Sequence, residues 1–271
     1  MTATAAELVD LTVMHQIGLQ RYSVTVVRRI LSTLQKVSAD IEAQVREGLP
    51  TGENTPRNAA SLRLNTLLEQ VRQTQIEGHR VVRGKLDEDF AGLASAEAAF
   101  ANRVSQLAVG TNATLATVSA DQLKAAVTSQ PFQGKTLREW TDQLETGDRR
   151  RMREQITIGY LEGESIPQIA KRVRTIAKVT ERGAEALVRT SITHINARAT
   201  AETAARNPHL FPQYQWVSVL DGRTTPICQS RAGKVFSNGS GPLPPAHVNC
   251  RSTTINLVRG VGPSDELSYT R

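Results

Sequence analysis

Gln213-Tyr214-Gln215-Trp216-Val217-Ser218-Val219-Leu220, running straight into Asp221-Gly222-Arg223-Thr224-Thr225-Pro226-Ile227-Cys228, decides how this chain folds. Aromatic and β-branched residues alternating with Gln and Ser predict a strand. The Asp, Gly, Thr and Pro that follow predict a turn-rich loop. Downstream, Gly233-Lys234-Val235-Phe236 predicts a short strand and Gly239-Ser240-Gly241-Pro242-Leu243-Pro244-Pro245 a stiff irregular loop. Ala246-His247-Val248-Asn249-Cys250-Arg251-Ser252-Thr253-Thr254 follows, then a last strand at Ile255-Asn256-Leu257-Val258. The chain's two cysteines sit in these two loops, too few for a disulfide framework.

Everything upstream reads as helix. Tyr22, Val26, Ile30, Leu34, Val37, Ile41 and Val45 recur every three or four residues, giving one apolar face over residues 8–45. Gly48-Leu49-Pro50-Thr51-Gly52 should stop that helix, and Thr55-Pro56 should cap the next. Leu64, Leu67, Leu68, Val71, Val81, Val82 and Leu86 carry a second stripe, so a hairpin or bundle is expected. Gly78, Gly84 and Gly92 predict kinks or breaks in it, with a third, Ala-rich helix over about 90–107. His15 and His79 stand alone in the sequence and read as surface or packing residues.

In the middle, Thr136-Leu137-Arg138-Glu139 has the form of a capping box. The helix it opens should end near Gly147, Asp148 should cap the next, and Arg149, Arg150, Arg151 and Arg153 would fill that helix's first turn. Arginines there oppose the helix dipole, so they call for an Asp or Glu partner, solvent or an external phosphate. Ser165-Ile166-Pro167-Gln168 should open another helix and Thr180 a longer one, ended by Asn207-Pro208. The fold class is α+β and predominantly helical: an N-terminal long-helix bundle or hairpin, then a helical segment and a small mixed β-sheet. The expected division is a helical scaffold or docking region at 1–130, a domain at 131–258 and a tail at 259–271.

The 271 residues carry 33 Lys and Arg against 26 Asp and Glu, a net charge of +7. That balance attracts polyanions such as nucleic acid without choosing a sequence. No apolar run is long enough to span a bilayer. Met1-Thr2-Ala3-Thr4-Ala5-Ala6-Glu7 lacks the basic start of a secretory signal, so synthesis in a reducing cytoplasm is expected.

The ordered set Trp216, Asp221-Gly222-Arg223-Thr224, Cys228, Gly233-Lys234-Val235-Phe236, Pro244-Pro245-Ala246-His247 and Asn249-Cys250-Arg251 resembles the C-terminal signature of the phage Mu F-like minor head proteins. Arg189-Thr190-Ser191, with Asn196 and Ala197, resembles that family's Arg-Thr helix, and the resemblance extends over about 135–258. It implies a minor capsid protein of a tailed bacteriophage, associated with the portal vertex and acting in head assembly and procapsid maturation, with DNA packaging or ejection as a further role. The partners it implies are the portal protein, other head proteins such as the major capsid or scaffold, and packaged DNA held by non-specific phosphate contacts. Its location would be the virion, with no membrane partner.

Many relatives carry two further cysteines, where this chain has Thr225 and Ser252. Their joint loss implies that the two loops touch, and it puts a four-cysteine zinc site in doubt here. Three readings of Cys228, His247 and Cys250 stay open: buried thiols beside a hydrogen-bonded histidine, a zinc site completed by Asp221 or water, or a disulfide. No other cofactor is expected. Arg189, Asp221, Arg223 and Arg251 are expected to form a structural cluster, with Arg251 pairing Asp221 across the loops.

No catalytic residue is expected, because the sequence shows no conventional nucleophile–base motif. The alternative is a toxin-type enzyme domain, either ADP-ribosyltransferase-like, with Arg189-Thr190-Ser191 and His247 lining a cleft, or a nuclease. Against the first stands the lack of a Glu-x-Glu pair near the C-terminus, where Asp265-Glu266 follows Gly262-Pro263. Against the second stands the lack of a carboxylate cluster suited to a two-metal site.

Overall fold

A computed structural model describes residues 3–49, 57–110, 113–260 and 268–270. Pro50-Thr51-Gly52, Thr55-Pro56, Gly262-Pro263 and Asp265-Glu266 lie outside the described residues. The order is α1 (Ala5–Gly48), α2 (Arg57–Val109), α3 (Ala120–Ser129), α4 (Leu137–Leu161), α5 (Ile166–Arg206), β1 (Gln213–Leu220), α6 (Pro226–Arg231), β2 (Val235–Ser237), β3 (Thr253–Leu257) and β4 (Ser268–Thr270). The fold is predominantly helical α+β, with a small mixed sheet near the C-terminus. No helix among the described residues is long and apolar enough to cross a membrane.

By packing, the chain forms two compact units, each assembled from separated segments. Residues 1–25, 88–138 and 186–271 make the first, and residues 26–87 and 139–185 the second. These units do not follow the sequential boundaries at 130 and 258.

The second unit is held by an aliphatic core in which Ile41 and Val45 meet Leu67, Leu68, Met152, Ile156 and Val173. Helix α2 runs through Gly78, Gly84 and Gly92 without a break, so the expected separate third helix is the end of α2. The glycines cost propensity but do not end a helix whose apolar stripe is buried on either side. Gly78 has a packing reason: a Cβ there would collide with Val37 of α1.

Two further breaks predicted from the sequence are absent. Helix α4 continues through Gly147 and Asp148, and α5 begins at Ile166 and passes Thr180 to reach Arg206. Asp148 and Thr180 are not caps but partners. Thr180 Oγ1 donates to Asp148 Oδ1 at 2.5 Å, while Gln75 Nε2 and His79 Nε2 donate to Oδ2, each at 2.9 Å. Asp148 is 4% exposed and His79 likewise 4%, so His79 is far from isolated. Burial works to raise the Asp148 carboxyl, but the hydrogen bonds from His79, Thr180 and Gln75 outweigh it and leave the group below its ordinary range. Because Asp148 sits inside α4, the Arg149–Arg153 run is not at a helix start and the dipole argument does not apply. Arg149 lies 3.6 Å from Glu145, and Arg150 lies 3.3 Å from Glu154.

The first unit carries the sheet. β1 is central, antiparallel to β2 (Gln215↔Val235) and to β3 (Gln215↔Ile255, Val217↔Thr253). Its second half pairs in parallel with β4, Ser218 opposite Ser268. Val9 and Val13 of α1 pack on Val217 and Ile255. His194 of α5 stacks on Phe132 at 4.6 Å and is 3% exposed. Burial drives its imidazole down to about 4, with Arg198 acting in the same direction and the Val127 carbonyl opposing.

Two consequences can be measured. Asp148→Ala strands Gln75, His79 and Thr180 in the interior and is expected to cost about 3–5 kcal/mol in urea unfolding. A loss under about 1 kcal/mol would show that the network carries no net stability. His194 is neutral in the fold but takes a proton in the unfolded chain once the pH drops below its ordinary value of 6.5. Its contribution is therefore complete above that value and falls away as the pH drops toward 4. The wild type should lose about 3 kcal/mol more than His194→Gln between pH 7 and pH 4.

Candidate functional site: a clasp between two loops

The site is built on β1 and closed by the two loops that hold the cysteines. Trp216, fully buried, donates from Nε1 to Ser218 Oγ at 2.9 Å. Ser218 Oγ in turn donates to the Cys228 carbonyl at 3.0 Å and lies 2.9 Å from Ser252 Oγ. One hydroxyl on the strand thereby joins the first loop to the second. Pro226 starts α6 and places Cys228 in its first turn, a short helix not expected from the sequence. Arg231, at the other end of α6, stacks over the Trp216 ring at 5.1 Å from its centre.

The second loop is fixed by α5. Thr190, Thr193, Asn196 and Thr200 share one helix face, being three or four residues apart. Asn249 N–H donates to Thr190 Oγ1 at 3.0 Å, and Thr193 Oγ1 donates to the Cys250 carbonyl at 2.7 Å. Thr253 Oγ1 donates to Asn196 Oδ1 at 2.8 Å, and Asn256 Nδ2 to the Thr200 carbonyl at 2.9 Å. The bond to Thr190 meets the chain at its sharpest point, since Asn249 has φ of 60°, in the left-handed region. Asn196 also donates from Nδ2 to Glu97 Oε2 at 2.8 Å, and His15 Nε2 lies 2.8 Å from the other Glu97 oxygen. His15, stacked on Phe100 at 3.5 Å, is therefore part of a buried polar chain and not an isolated residue.

At the mouth, Arg251 grips Asp221 with two bonds, Nη2 to Oδ1 at 2.6 Å and Nη1 to Oδ2 at 2.8 Å. Arg223 contributes its backbone N–H to Oδ1 at 2.9 Å, while its guanidinium is 3.7 Å away and 77% exposed. The Arg251 guanidinium, the Arg223 N–H and the Thr224 hydroxyl hold the Asp221 carboxyl well below the usual carboxylate range. Arg189 lines, with Asp221, Arg223 and Arg251, a cavity of about 440 Å³ whose apolar wall includes Val13, Ile17 and Val217.

Inside, Cys228 Sγ is 3.7 Å from Cys250 Sγ and 3.2 Å from His247 Nε2. Both cysteines are buried, and their sulfurs are not bonded to each other. A hydrogen bond from the Cys250 thiol, joined by the Ser252 and Thr225 hydroxyls and His247, draws the Cys228 thiol below its ordinary value. The same contact, with burial, drives Cys250 up. Thr225 and Ser252 thus stand against one sulfur, the juxtaposition their joint substitution implied. Asp221 does not join this cluster, because Arg251, Arg223 and Thr224 take both of its oxygens.

The sequence missed the α5 face. Its signal was present, the hydrogen-bonding side chains of Thr190, Thr193 and Asn196 at helical spacing inside an otherwise Ala- and Ile-rich segment. Removing the guanidiniums one at a time separates the clasp from its rim. Arg251→Ala should lower the thermal midpoint clearly more than Arg223→Ala, because only Arg251 makes a two-point ionic contact. Equal midpoints for the two variants would show that the Asp221–Arg251 contact does not hold the loops.

Residues 150–255 match the family described as Phage Mu protein F like protein, a span from the middle of α4 into β3. No curated protein and no solved structure is detectably similar to the chain. The matched span holds the α5 face, both cysteine loops and the Asp221–Arg251 pair. Over residues 150–255, therefore, this chain is similar to the Phage Mu protein F like family.

Proposed function

We propose that this chain is a minor head protein of a tailed bacteriophage, carried in the virion at the portal vertex and acting in head assembly and procapsid maturation. The observation that supports this reading is that the family match falls on the clasp: residues 150–255 contain both cysteine loops, the Asp221–Arg251 pair and the α5 residues that hold the second loop. A clasp fixed by buried hydrogen bonds and a two-point ion pair is a rigid module, suited to docking against other head components. The helical segments that precede it offer length for contact with portal, capsid or scaffold. The role requires no catalysis. The excess of basic residues, 33 against 26 acidic, suits contact with packaged DNA through phosphates, which needs no sequence readout.

The test is composition and place. Mass spectrometry of purified mature virions should find peptides of this chain, and the tagged full chain should co-purify with the portal protein from infected cells. Absence from mature particles, with presence in procapsids, would replace the reading by that of a component removed before maturation. Presence in virions without association with the portal would overturn the vertex assignment.

A further inference from the structure

We propose that Cys228, His247 and Cys250 form a mononuclear zinc site. Each offers one ligand atom, and the three atoms lie within 4.8 Å of one another. For tetrahedral zinc with Zn–S bonds of about 2.3 Å, two sulfur ligands stand about 3.8 Å apart. Cys228 Sγ and Cys250 Sγ are separated by 3.7 Å. A sulfur and an imidazole nitrogen on the same ion stand about 3.5 Å apart, so the 3.2 Å between Cys228 Sγ and His247 Nε2 needs only a small adjustment. A disulfide would bring the two sulfurs to about 2.05 Å and leave the histidine with nothing to do.

The histidine is oriented as a ligand should be. His247 Nδ1–H donates to the Val248 carbonyl at 2.8 Å, which fixes the tautomer and leaves the Nε2 lone pair facing the thiols. The turn from His247 to Cys250 is closed by Cys250 N–H donating to the His247 carbonyl at 3.2 Å, and α5 clamps it from behind through Thr190 and Thr193. Two ligands thus come from one braced turn and the third from the first turn of α6.

Two thiolates and a neutral imidazole form a soft donor set whose charge matches a divalent ion. Binding releases the two thiol protons to solvent. With Asp221 engaged by Arg251, the fourth position falls to water.

The experiment uses the full chain, purified without chelator from zinc-supplemented cells. Elemental analysis should give about one zinc per chain, and Arg223→Ala should retain it. His247→Ala should weaken zinc retention about tenfold or more. Cobalt(II) substitution should give a thiolate-to-metal charge-transfer band in the wild type that Cys250→Ser loses. Stripping the metal should lower the thermal midpoint, and added zinc should restore it. Protein that emerges zinc-free with two titratable thiols overturns the proposal, as does protein whose mass shows a Cys228–Cys250 disulfide.

Discussion

The hydrogen-bonding face of α5 is the constraint on which the rest of the first unit depends. Four contacts run from Thr190, Thr193, Asn196 and Thr200 to residues 249, 250, 253 and 256, stepping along the helix and the chain together. A slip of one residue would break all four, because the helix repeats every 3.6 residues and the extended segment every two. Each such bond adds only about 1 kcal/mol net, but each one left unmade in the interior costs about 1–3 kcal/mol. The face therefore acts mainly by penalising every register but one. The chosen register delivers Cys250 to Cys228 and starts β3 with Thr253 opposite Val217.

Each unit has a buried polar hub of similar design. In one, Glu97 receives Asn196 and lies against His15. In the other, Asp148 receives Gln75, His79 and Thr180. Long helices rich in Leu, Val and Ala can slide by a turn with little change in apolar burial, because their stripes look alike every few residues. A carboxylate that must meet its partners inside a dry interior removes that freedom, since a displaced partner leaves a charge unpaired. Aliphatic stripes supply the bulk of the association, and these two carboxylates make it specific.

That division of labour explains what could be read from the sequence. The strands were legible because β-branched and aromatic residues alternate between turn residues, and the Asp221–Arg251 pair because both sides of the clasp carry short-range chemical signatures. Helix continuity was not. Asp148 after Gly147 looks like a cap, and so does Thr180, because a short polar side chain that caps a helix has the same composition as one that completes a buried network. Only the partners distinguish the two, and for Asp148 these lie 69 and 73 positions away in His79 and Gln75. Gly78 misled for the same reason: its role is to admit Val37 and not to end a turn. His15 and His79 looked solitary because sequence neighbours say nothing about a carboxylate on another helix.

The segment that carries the family match does not close its own core. Val217 and Ile255 of the sheet are covered by Val9 and Val13, and the backbone of the second loop accepts a bond from Gln16 Nε2 at Arg251. Asn196, the middle of the α5 face, is held on its other side by Glu97. All four of these supports precede residue 150. A fragment starting near 130 would expose the underside of β1 and leave Asn196 Nδ2 seeking a partner, a loss that falls on the face that sets the register. The start of α1 and the later part of α2 are therefore as much part of the clasp as the loops that form its visible edge.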